Sequence, residues 1–283
     1  MEEARPSHTA LRVAMRRAAH QLADDPKVLD DPLALKILGP RALARLQGGE
    51  GTGGDRLSKG LRAFMAARSR YAEDELSRAI ARGATQYVVL GAGLDTFAYR
   101  NPYAASALRV FEVDYPATQE WKRRQLAATD IAIPPSVTYA PVDFERQTLA
   151  EGLRDAGFEA SKPAFFSWLG VSMYLTDEAI DATLGFVAST PPGGGIVFDY
   201  AVTRESLGLV ERMALDAISK RVEAAGEPFR TFFAPKALEE RMMRIGFRSV
   251  EDLGGDEINA RYFQNRADGL RVGSVGRLVA ATL

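Results

Sequence analysis

From residue 86 onward, short apolar runs alternate with segments of helical periodicity. The apolar runs predict strands at 86–90, 110–113, 137–142, 164–169 and 196–198, and two further strands at 248–252 and 275–281. The intervening segments predict helices at 95–99 onward, 116–128, 149–156, 177–188 and 235–245. Strands that alternate with helices indicate a parallel sheet with helical crossovers, so the pattern predicts an α/β fold.

The first 82 residues follow a different pattern, because apolar residues recur there only at helical spacing. Helices are predicted at 9–23, 31–38 and 61–81, and the glycine-rich stretch 48–54 predicts a flexible loop. On the first helix His20 shares a polar face with Arg12 and Arg16, which predicts that it is exposed to solvent. We divide the chain into an N-terminal helical cap, 1–82, and a core, 83–283, with a helical insertion at 203–233. The two parts are expected to form one structural unit.

Polar residues stand where the predicted strands end. Gly91, Asp114, Asp143 and Asp199 each follow or close an apolar run. Ligands of parallel α/β sheets bind outside the carboxyl ends of the strands. The sequence therefore predicts a ligand site at this edge of the sheet.

A glycine-rich turn, Gly91-Ala92-Gly93, follows the first predicted strand and suits either of two cofactor classes. Dinucleotides favour a third glycine, and here Thr96 stands in its place. The carboxylate of Asp95 would repel a pyrophosphate, whereas S-adenosylmethionine carries a sulfonium and an ammonium cation and no phosphate. The turn therefore favours S-adenosylmethionine over a nicotinamide dinucleotide. An ordinary strand–helix turn with Asp95 as the helix N-cap is the alternative.

Acidic residues at the next two strand ends are candidate contacts to a nucleoside. Asp114, 23 residues after Gly91, is placed to accept hydrogen bonds from ribose hydroxyls. Glu112 shares its face of the strand, so either acid could serve, and we favour Asp114. Asp143 could accept from the adenine amine, with Phe144 beside the ring. The alternatives are a solvated strand-end carboxylate at Asp114 and a plain loop residue at Asp143.

Arg68 lies on the apolar stripe of the helix predicted at 61–81, four residues after Phe64 and three before Tyr71. Arginine is rarely buried without a partner. One interpretation is a clamp on an anionic ligand group, such as the carboxylate of the methionine moiety. The others are an internal salt bridge and a side chain that extends to solvent.

Composition and charge exclude several other classes of protein. The 36 basic and 37 acidic residues give a net charge of −1, which argues against a surface that binds nucleic acid throughout. There is no cysteine and there are only two histidines, so disulfides, thiolate nucleophiles and a metal centre are not expected. No apolar run is long enough to span a membrane, and the first 20 residues lack the core of a signal peptide. A cytoplasmic location is therefore expected.

Three stretches of the sequence together carry a family resemblance. They are Val89-Leu90-Gly91-Ala92-Gly93-Leu94-Asp95-Thr96, then Tyr99-Arg100, and then Phe111-Glu112-Val113-Asp114-Tyr115-Pro116 with Lys122. This combination resembles the leucine carboxyl methyltransferase-like branch of the S-adenosylmethionine-dependent methyltransferases, which includes many bacterial O-methyltransferases. Shorter matches, among them Arg17-Ala18, Asp31-Pro32 and Arg68, extend the resemblance over nearly the whole chain.

The resemblance implies a class I methyltransferase fold, which has a seven-stranded Rossmann-like sheet whose last strand is antiparallel. It also implies S-adenosylmethionine contacts at Arg68, Gly91, Asp114 and Asp143-Phe144. The chain departs from the family in two places. Phe97 stands where many relatives carry arginine, and Leu169 stands where the eukaryotic enzymes carry a glutamate near the cofactor's amino group. Any cofactor contact at Leu169 would therefore come from its backbone.

Together these observations predict an S-adenosylmethionine-dependent enzyme that methylates an oxygen of a small-molecule carboxylate or hydroxyl. The expected partners are this acceptor and the cofactor, with no nucleic acid and no membrane. No catalytic residue is assigned. The alternatives are a nicotinamide-dependent oxidoreductase and a non-catalytic binding protein of methyltransferase fold.

Overall fold

Seven strands form one mixed sheet in the order β3-β2-β1-β4-β5-β7-β6. Their bounds are β1 Gln86–Leu90, β2 Arg109–Asp114, β3 Val137–Pro141, β4 Ala164–Trp168, β5 Gly195–Ala201, β6 Ser249–Leu253 and β7 Gly276–Thr282. Strand β7 is antiparallel to both of its neighbours, and the other pairings are parallel. The predicted class I arrangement is thereby confirmed. The computed structural model describes residues 8–49, 53–103, 108–143, 146–224 and 226–283.

Nine α-helices lie in these described ranges. Their bounds are α1 His8–Ala23, α2 Gly39–Gln47, α3 Arg56–Ala81, α4 Pro116–Ala128, α5 Leu149–Asp155, α6 Asp177–Ala188, α7 Leu209–Glu223, α8 Pro235–Ile245 and α9 Gly255–Tyr262. No helix of the described ranges is both long and apolar enough to cross a membrane.

The sheet separates two apolar layers, because every strand of its centre is buried on both faces. One face packs Val88, Phe111 and Phe166 against helices α5, α6 and α8. The opposite face packs Tyr87 and Phe165 against α3 and α9. A third cluster joins α1 and α2 to α4, so the N-terminal helices cover the edge of the sheet where β1 and β2 end.

Two of the predicted helices are wrong. The segment 31–38 is a series of turns that ends in the 3₁₀ helix Lys36–Leu38, and the unpredicted helix α2 follows it. The segment after the glycine turn forms only the 3₁₀ helix Phe97–Tyr99. Pro102 limits that segment, since the residue before a proline is disfavoured in the α conformation. Helix α9 was also not predicted.

Candidate functional site

A cavity of about 890 Å³ opens at the carboxyl edge of the sheet. Its floor is the glycine turn, residues 91–95, with the ends of β2 and β4. Helices α1 and α3 contribute to its lining, as do Gly226, Glu227, Pro228 and Arg230 after α7. Small-molecule sites in proteins are concave pockets of roughly 300–1,000 Å³, so the cavity has the size of a ligand site.

The glycine turn holds a conformation that other residues rarely adopt. Gly91 and Gly93 have positive φ angles of 67° and 44°. A Cβ at Gly91 would lie 2.4 Å from the side chain of Val171, so the turn has no space for one there. The backbone N–H groups of Gly91 and Ala92 both donate to the carbonyl of Val113, at 2.8 and 3.1 Å, which fixes the turn to β2. Gly91, Ala92 and Gly93 all line the cavity.

The side chains of Asp114 and Glu112 have different surroundings although both lie on the same face of β2. Asp114 lines the cavity and accepts backbone hydrogen bonds from Gly93 at 2.6 Å and Tyr115 at 2.7 Å. Burial raises the pKa of Asp114 above its usual value despite these two hydrogen bonds. Glu112 is fully buried outside the cavity, and its carboxylate accepts from Lys122 Nζ and from the Tyr99 hydroxyl, both at 2.8 Å. Glu112 is therefore occupied within the fold.

Arg68 has an internal partner, as the salt-bridge alternative expected. Its guanidinium donates to Asp199 at 2.8 Å, and both side chains are almost completely buried. Asp199 also accepts the backbone N–H of Gly170. A Cβ at Gly170, whose φ is 74°, would lie 2.9 Å from the guanidinium nitrogens. Arg68 nevertheless lines the cavity, so the pair with Asp199 holds a guanidinium at its wall.

The remaining predicted contacts are Leu169, Asp143 and Phe144. Leu169 lines the cavity as an apolar residue at the end of β4. Asp143 does not line it; its carboxylate lies 3.5 Å from Arg146, although its neighbour Val142 does reach the cavity. Phe144 lies outside the described residues. The adenine contact at Asp143 and Phe144 therefore stays a prediction.

A group of buried and partly buried charges lies between the cap and the glycine turn, and we call it the charged wall. It comprises Arg17 of α1, Asp31, Glu73 of α3, Asp95 and Arg100. Arg17 donates to Asp31 at 2.6 Å and to Asp95 at 3.0 Å. Arg100 makes a two-pronged contact with Glu73 and lies 3.3 Å from Asp31. The wall joins three separate parts of the chain at one side of the cavity.

Sequence reasoning missed most of the charged wall, although α1 carries a signal for it. Ala10, Val13, Ala14 and Arg17 recur at helical spacing, and all four line the cavity. An arginine that continues a stripe of small apolar residues requires a buried partner. Asp95, which was predicted from the turn, lines the cavity, but one carboxylate oxygen accepts from Arg17 and the other from the Phe97 backbone N–H at 2.8 Å.

The predicted exposure of His20 is wrong, because the ring is completely buried. Its Nε2 accepts backbone N–H groups from Val28 at 3.0 Å and Leu29 at 3.3 Å, so Nδ1–H donates to Asp24 at 2.8 Å. Asp24 also accepts two hydrogen bonds from Arg62, both at 2.8 Å. Burial alone would raise the pKa of Asp24, but the bonds from Arg62 and His20 outweigh it and hold that pKa at about 2.

Three tyrosines of the described chain line the cavity, namely Tyr87, Tyr115 and Tyr174. Tyr87 donates to Ser167 at 2.8 Å, and burial raises the Tyr87 pKa well above its usual value. Tyr174 packs its ring 5.5 Å from that of Phe229, and burial raises the Tyr174 pKa to about 12. Both hydroxyls therefore stay protonated at neutral pH. Among the described residues that line the cavity there is no histidine, lysine or cysteine.

Comparisons with known sequences place this geometry among methyltransferases. The family model described as leucine carboxyl methyltransferase matches residues 10–188. YktD of Bacillus subtilis (strain 168), named as an S-adenosyl-L-methionine-dependent methyltransferase, is 40% identical over 210 residues, which cover 72% of this chain and 67% of YktD. A Mycobacterium avium (strain 104) protein with the same description is 35% identical over 203 residues, which cover 68% of this chain and 65% of that protein. The match thus spans about two thirds of the length of each relative.

Solved structures resemble the whole chain. A DUF574 family protein from Streptomyces avermitilis MA-4680 has a TM-score of 0.57 at 15% identity, and the match covers 98% of both chains. A protein from Thermobifida fusca YX that is described as a methyltransferase has a TM-score of 0.57 at 16% identity, covering 98% of this chain and 95% of that one. At such low identity these likenesses support the fold alone.

Proposed function

The chain belongs to the leucine carboxyl methyltransferase family and is an S-adenosylmethionine-dependent methyltransferase, and from this premise we propose that it methylates an oxygen atom of a small molecule. The acceptor is a carboxylate or a hydroxyl, and the cofactor lies in the cavity at the carboxyl edge of the sheet. The observation that carries the proposal is the shared cavity wall of the glycine turn and Asp114. At this wall the backbone of the turn can approach a ligand closely, and the carboxylate of Asp114 can accept hydrogen bonds from it.

We propose that Asp114 binds the ribose of the cofactor. The part of the cofactor attached to the ribose then lies against Gly91, Ala92 and Gly93. A carboxylate has about four lone-pair sites, so Asp114 can accept ribose hydroxyls besides the two backbone N–H groups that it already binds. The pairing of Glu112 with Lys122 removes Glu112 from the proposed contacts. The further proposed contacts are Arg68, Asp95, the backbone of Leu169, Asp143 and Phe144.

The transfer itself is an in-line displacement at the sulfonium methyl group. The acceptor oxygen forms a bond to the methyl carbon while the carbon–sulfur bond breaks, and the bonding pair stays on sulfur as S-adenosylhomocysteine leaves. Because the leaving group is neutral, the protein mainly has to align the acceptor and exclude water.

Between the two acceptor types, the described lining favours a carboxylate. A hydroxyl acceptor requires a base, whereas a carboxylate is already ionised at neutral pH. Tyr87 and Tyr174 do not supply a base at neutral pH, because burial raises both pKa values and keeps the hydroxyls protonated. Four carboxylates of the described residues line the cavity, and those of Asp114, Asp95 and Glu73 accept hydrogen bonds from the protein, whereas the fourth belongs to Glu227.

An acceptor screen with S-adenosylmethionine labelled in its methyl group tests this function. Matched pairs of small molecules should be supplied that differ only in a carboxylate, a hydroxyl or an amine. We expect label on oxygen, with carboxylates ahead of hydroxyls, and loss of transfer in Asp114→Asn. Label found only on amines or thiols would overturn the oxygen assignment. Wild-type transfer that survives in Asp114→Asn at unchanged cofactor affinity would overturn the assignment of the ribose to Asp114.

A further inference from the structure

Buried ion pairs elsewhere in the described chain match one charge with one opposite charge. Arg62 pairs with Asp24, Arg68 with Asp199 and Lys122 with Glu112. The charged wall differs, because it sets three carboxylates against two guanidinium groups. The carboxylates are Asp31, Glu73 and Asp95, and the guanidinium groups are Arg17 and Arg100. One negative charge is therefore uncompensated within the wall.

The uncompensated charge lies at the cavity. Asp31 is completely enclosed between Arg17, Arg100 and Thr96, whereas the side chains of Glu73 and Asp95 remain 22% and 23% exposed and line the cavity. Burial and the nearby Asp95 carboxylate raise the pKa of Glu73 although Arg100 binds it. The two carboxylates thus repel one another across a surface that a cation could approach.

The residues on α3 that face the cavity provide a matching array for an amino acid. Arg68, Ser69, Ala72 and Glu73 all line the cavity. Arg68 and Glu73 are five residues apart, or about 7.5 Å along the helix axis at the usual rise per residue. The methionine end of the cofactor carries a carboxylate and an ammonium on one carbon. A guanidinium and a carboxylate that line the same cavity can bind these two groups at once, and the small side chains of Ser69 and Ala72 leave space.

We propose that Glu73, supported by Asp95, binds the ammonium group of S-adenosylmethionine and that this cation completes the charge balance of the wall. The inference rests on the proposed placement of the cofactor in the cavity. Each Glu73 oxygen accepts one hydrogen bond from Arg100, which leaves lone pairs for the ammonium. Arg100 is thereby a positioning residue that orients the carboxylate. Leu169 lines the same region without a charged group.

The test compares ligands with and without the ammonium group on Glu73→Gln. S-adenosylhomocysteine and its deaminated analogue differ only in that group, and 5′-methylthioadenosine lacks the whole amino acid end. We expect calorimetry to show S-adenosylhomocysteine binding about 10- to 100-fold weaker than in wild type, since that is the usual loss for a hydrogen bond to a charged group. The other two ligands should change by less than about threefold, within the scatter of such single contacts.

The adjacent residue provides a matched control. Asp74 lies outside the cavity, where it accepts from Arg70 and from Tyr262, both at 2.8 Å. Asp74→Asn should leave the affinities for all three ligands at their wild-type values. Should Glu73→Gln fail to fold, Asp95→Asn removes one charge from the same surplus, and it should weaken S-adenosylhomocysteine more than the deaminated analogue.

Two outcomes overturn the ammonium site while leaving the cofactor cavity in place. One is unchanged S-adenosylhomocysteine affinity in a folded Glu73→Gln variant. The other is an equal loss for all three ligands, which would mean that Glu73 only supports the shape of the cavity. If wild-type protein binds neither S-adenosylhomocysteine nor 5′-methylthioadenosine, the proposed cofactor placement fails, and the ammonium site fails with it.

Discussion

The floor of the cavity and the charged wall are assembled in opposite ways. The floor is held by backbone hydrogen bonds between neighbouring strands, such as those from Gly91 and Ala92 to Val113. The wall is held by side-chain ion pairs between remote segments, for example Arg17 of α1 with Asp95, 78 residues later. The floor therefore leaves side chains such as Asp114 to serve a ligand, whereas the wall uses its side chains to attach the cap. Changes in the floor should affect binding, and loss of an arginine that attaches the cap should first affect stability.

The largest effect is expected in the wall, from Arg17→Met. The substitution removes the guanidinium that binds both the buried Asp31 and the partly exposed Asp95, so the free energy of unfolding should fall by about 4 kcal/mol. Urea denaturation of the ligand-free protein measures this loss. Arg12→Met on the exposed face of α1 is the control and should change the same quantity by less than about 0.5 kcal/mol. Equal stabilities of the two variants would show that the wall does not hold the cap.

Arg68 lines the cavity and also pairs with a buried carboxylate of the fold. Its replacement therefore tests binding and stability in one variant. Arg68→Ala strands the Asp199 carboxylate and should lower the free energy of unfolding without ligand by about 3 kcal/mol. Arg68→Lys should recover only part of the loss, because lysine lacks the planar two-pronged donor.

The neighbouring Arg70 provides the control for Arg68. Its side chain is half exposed and pairs with Asp74 one turn later, so Arg70→Ala should cost less than about 1 kcal/mol. An Arg68→Ala protein that melts like wild type but has lost cofactor affinity would make Arg68 a ligand clamp alone. That result would mean that Arg68 binds the cofactor and does not stabilise the fold.

A smaller effect, confined to binding, is expected in the floor. Asp114→Asn keeps an acceptor for the Gly93 N–H but loses the charge offered to the ribose, so cofactor affinity should fall by about 2 kcal/mol. Glu112→Gln should do the reverse, with lower stability from the unpaired Lys122 and unchanged affinity. Calorimetric titration gives the cofactor affinity of each variant, and denaturation gives its free energy of unfolding. Glu112→Gln as the more damaging variant for binding would contradict our assignment of the ribose contact.

The smallest effect is a dependence on pH in the buried group Asp24, His20 and Arg62, and it occurs only in acid. The folded-state pKa of Asp24 is about 2, below the ordinary value of 3.8. The stabilisation from its ionised form is therefore fully present above about pH 4 and is lost as the pH falls towards 2. The stability difference between wild type and Asp24→Asn should be constant from pH 5 to 7 and shrink between pH 4 and 2. A difference that grows on acidification would refute the pairing.

The sequence predicted the sheet better than the site, for physical reasons. Strands buried on both faces are continuous apolar runs, so β1 was predicted residue for residue and the others within a few residues. Helices α4 and α8 begin at prolines, Pro116 and Pro235, which set their starts. Apolar runs, prolines at helix starts and the glycine turn are all signals that lie within a short stretch of sequence.

The charged wall could not be predicted in this way, because its partners meet only through the fold. Asp95 lies 78 residues from Arg17, and nothing in the sequence around either residue indicates the other. His20 shows the same limit. Its helical spacing placed it on the polar face, but the turn at Val28 and Leu29 folds back over that face and buries the ring. Periodicity describes one helix at a time, whereas burial depends on what covers it.

The closeness of α1 to the glycine turn has a consequence for the timing of turnover. A Cβ at Gly93 would lie 3.1 Å from Ala10, so the cap rests directly on the floor and closes that side of the cavity. Exchange of spent for fresh cofactor on that side would require the buried Arg17 contacts to break. On the lining segment after α7, Gly226, Pro228 and Arg230 are exposed, and the Arg230 N–H donates to the carbonyl of Met173. We therefore expect cofactor exchange on the side of residues 226–230, where backbone hydrogen bonds have to break in place of buried ion pairs.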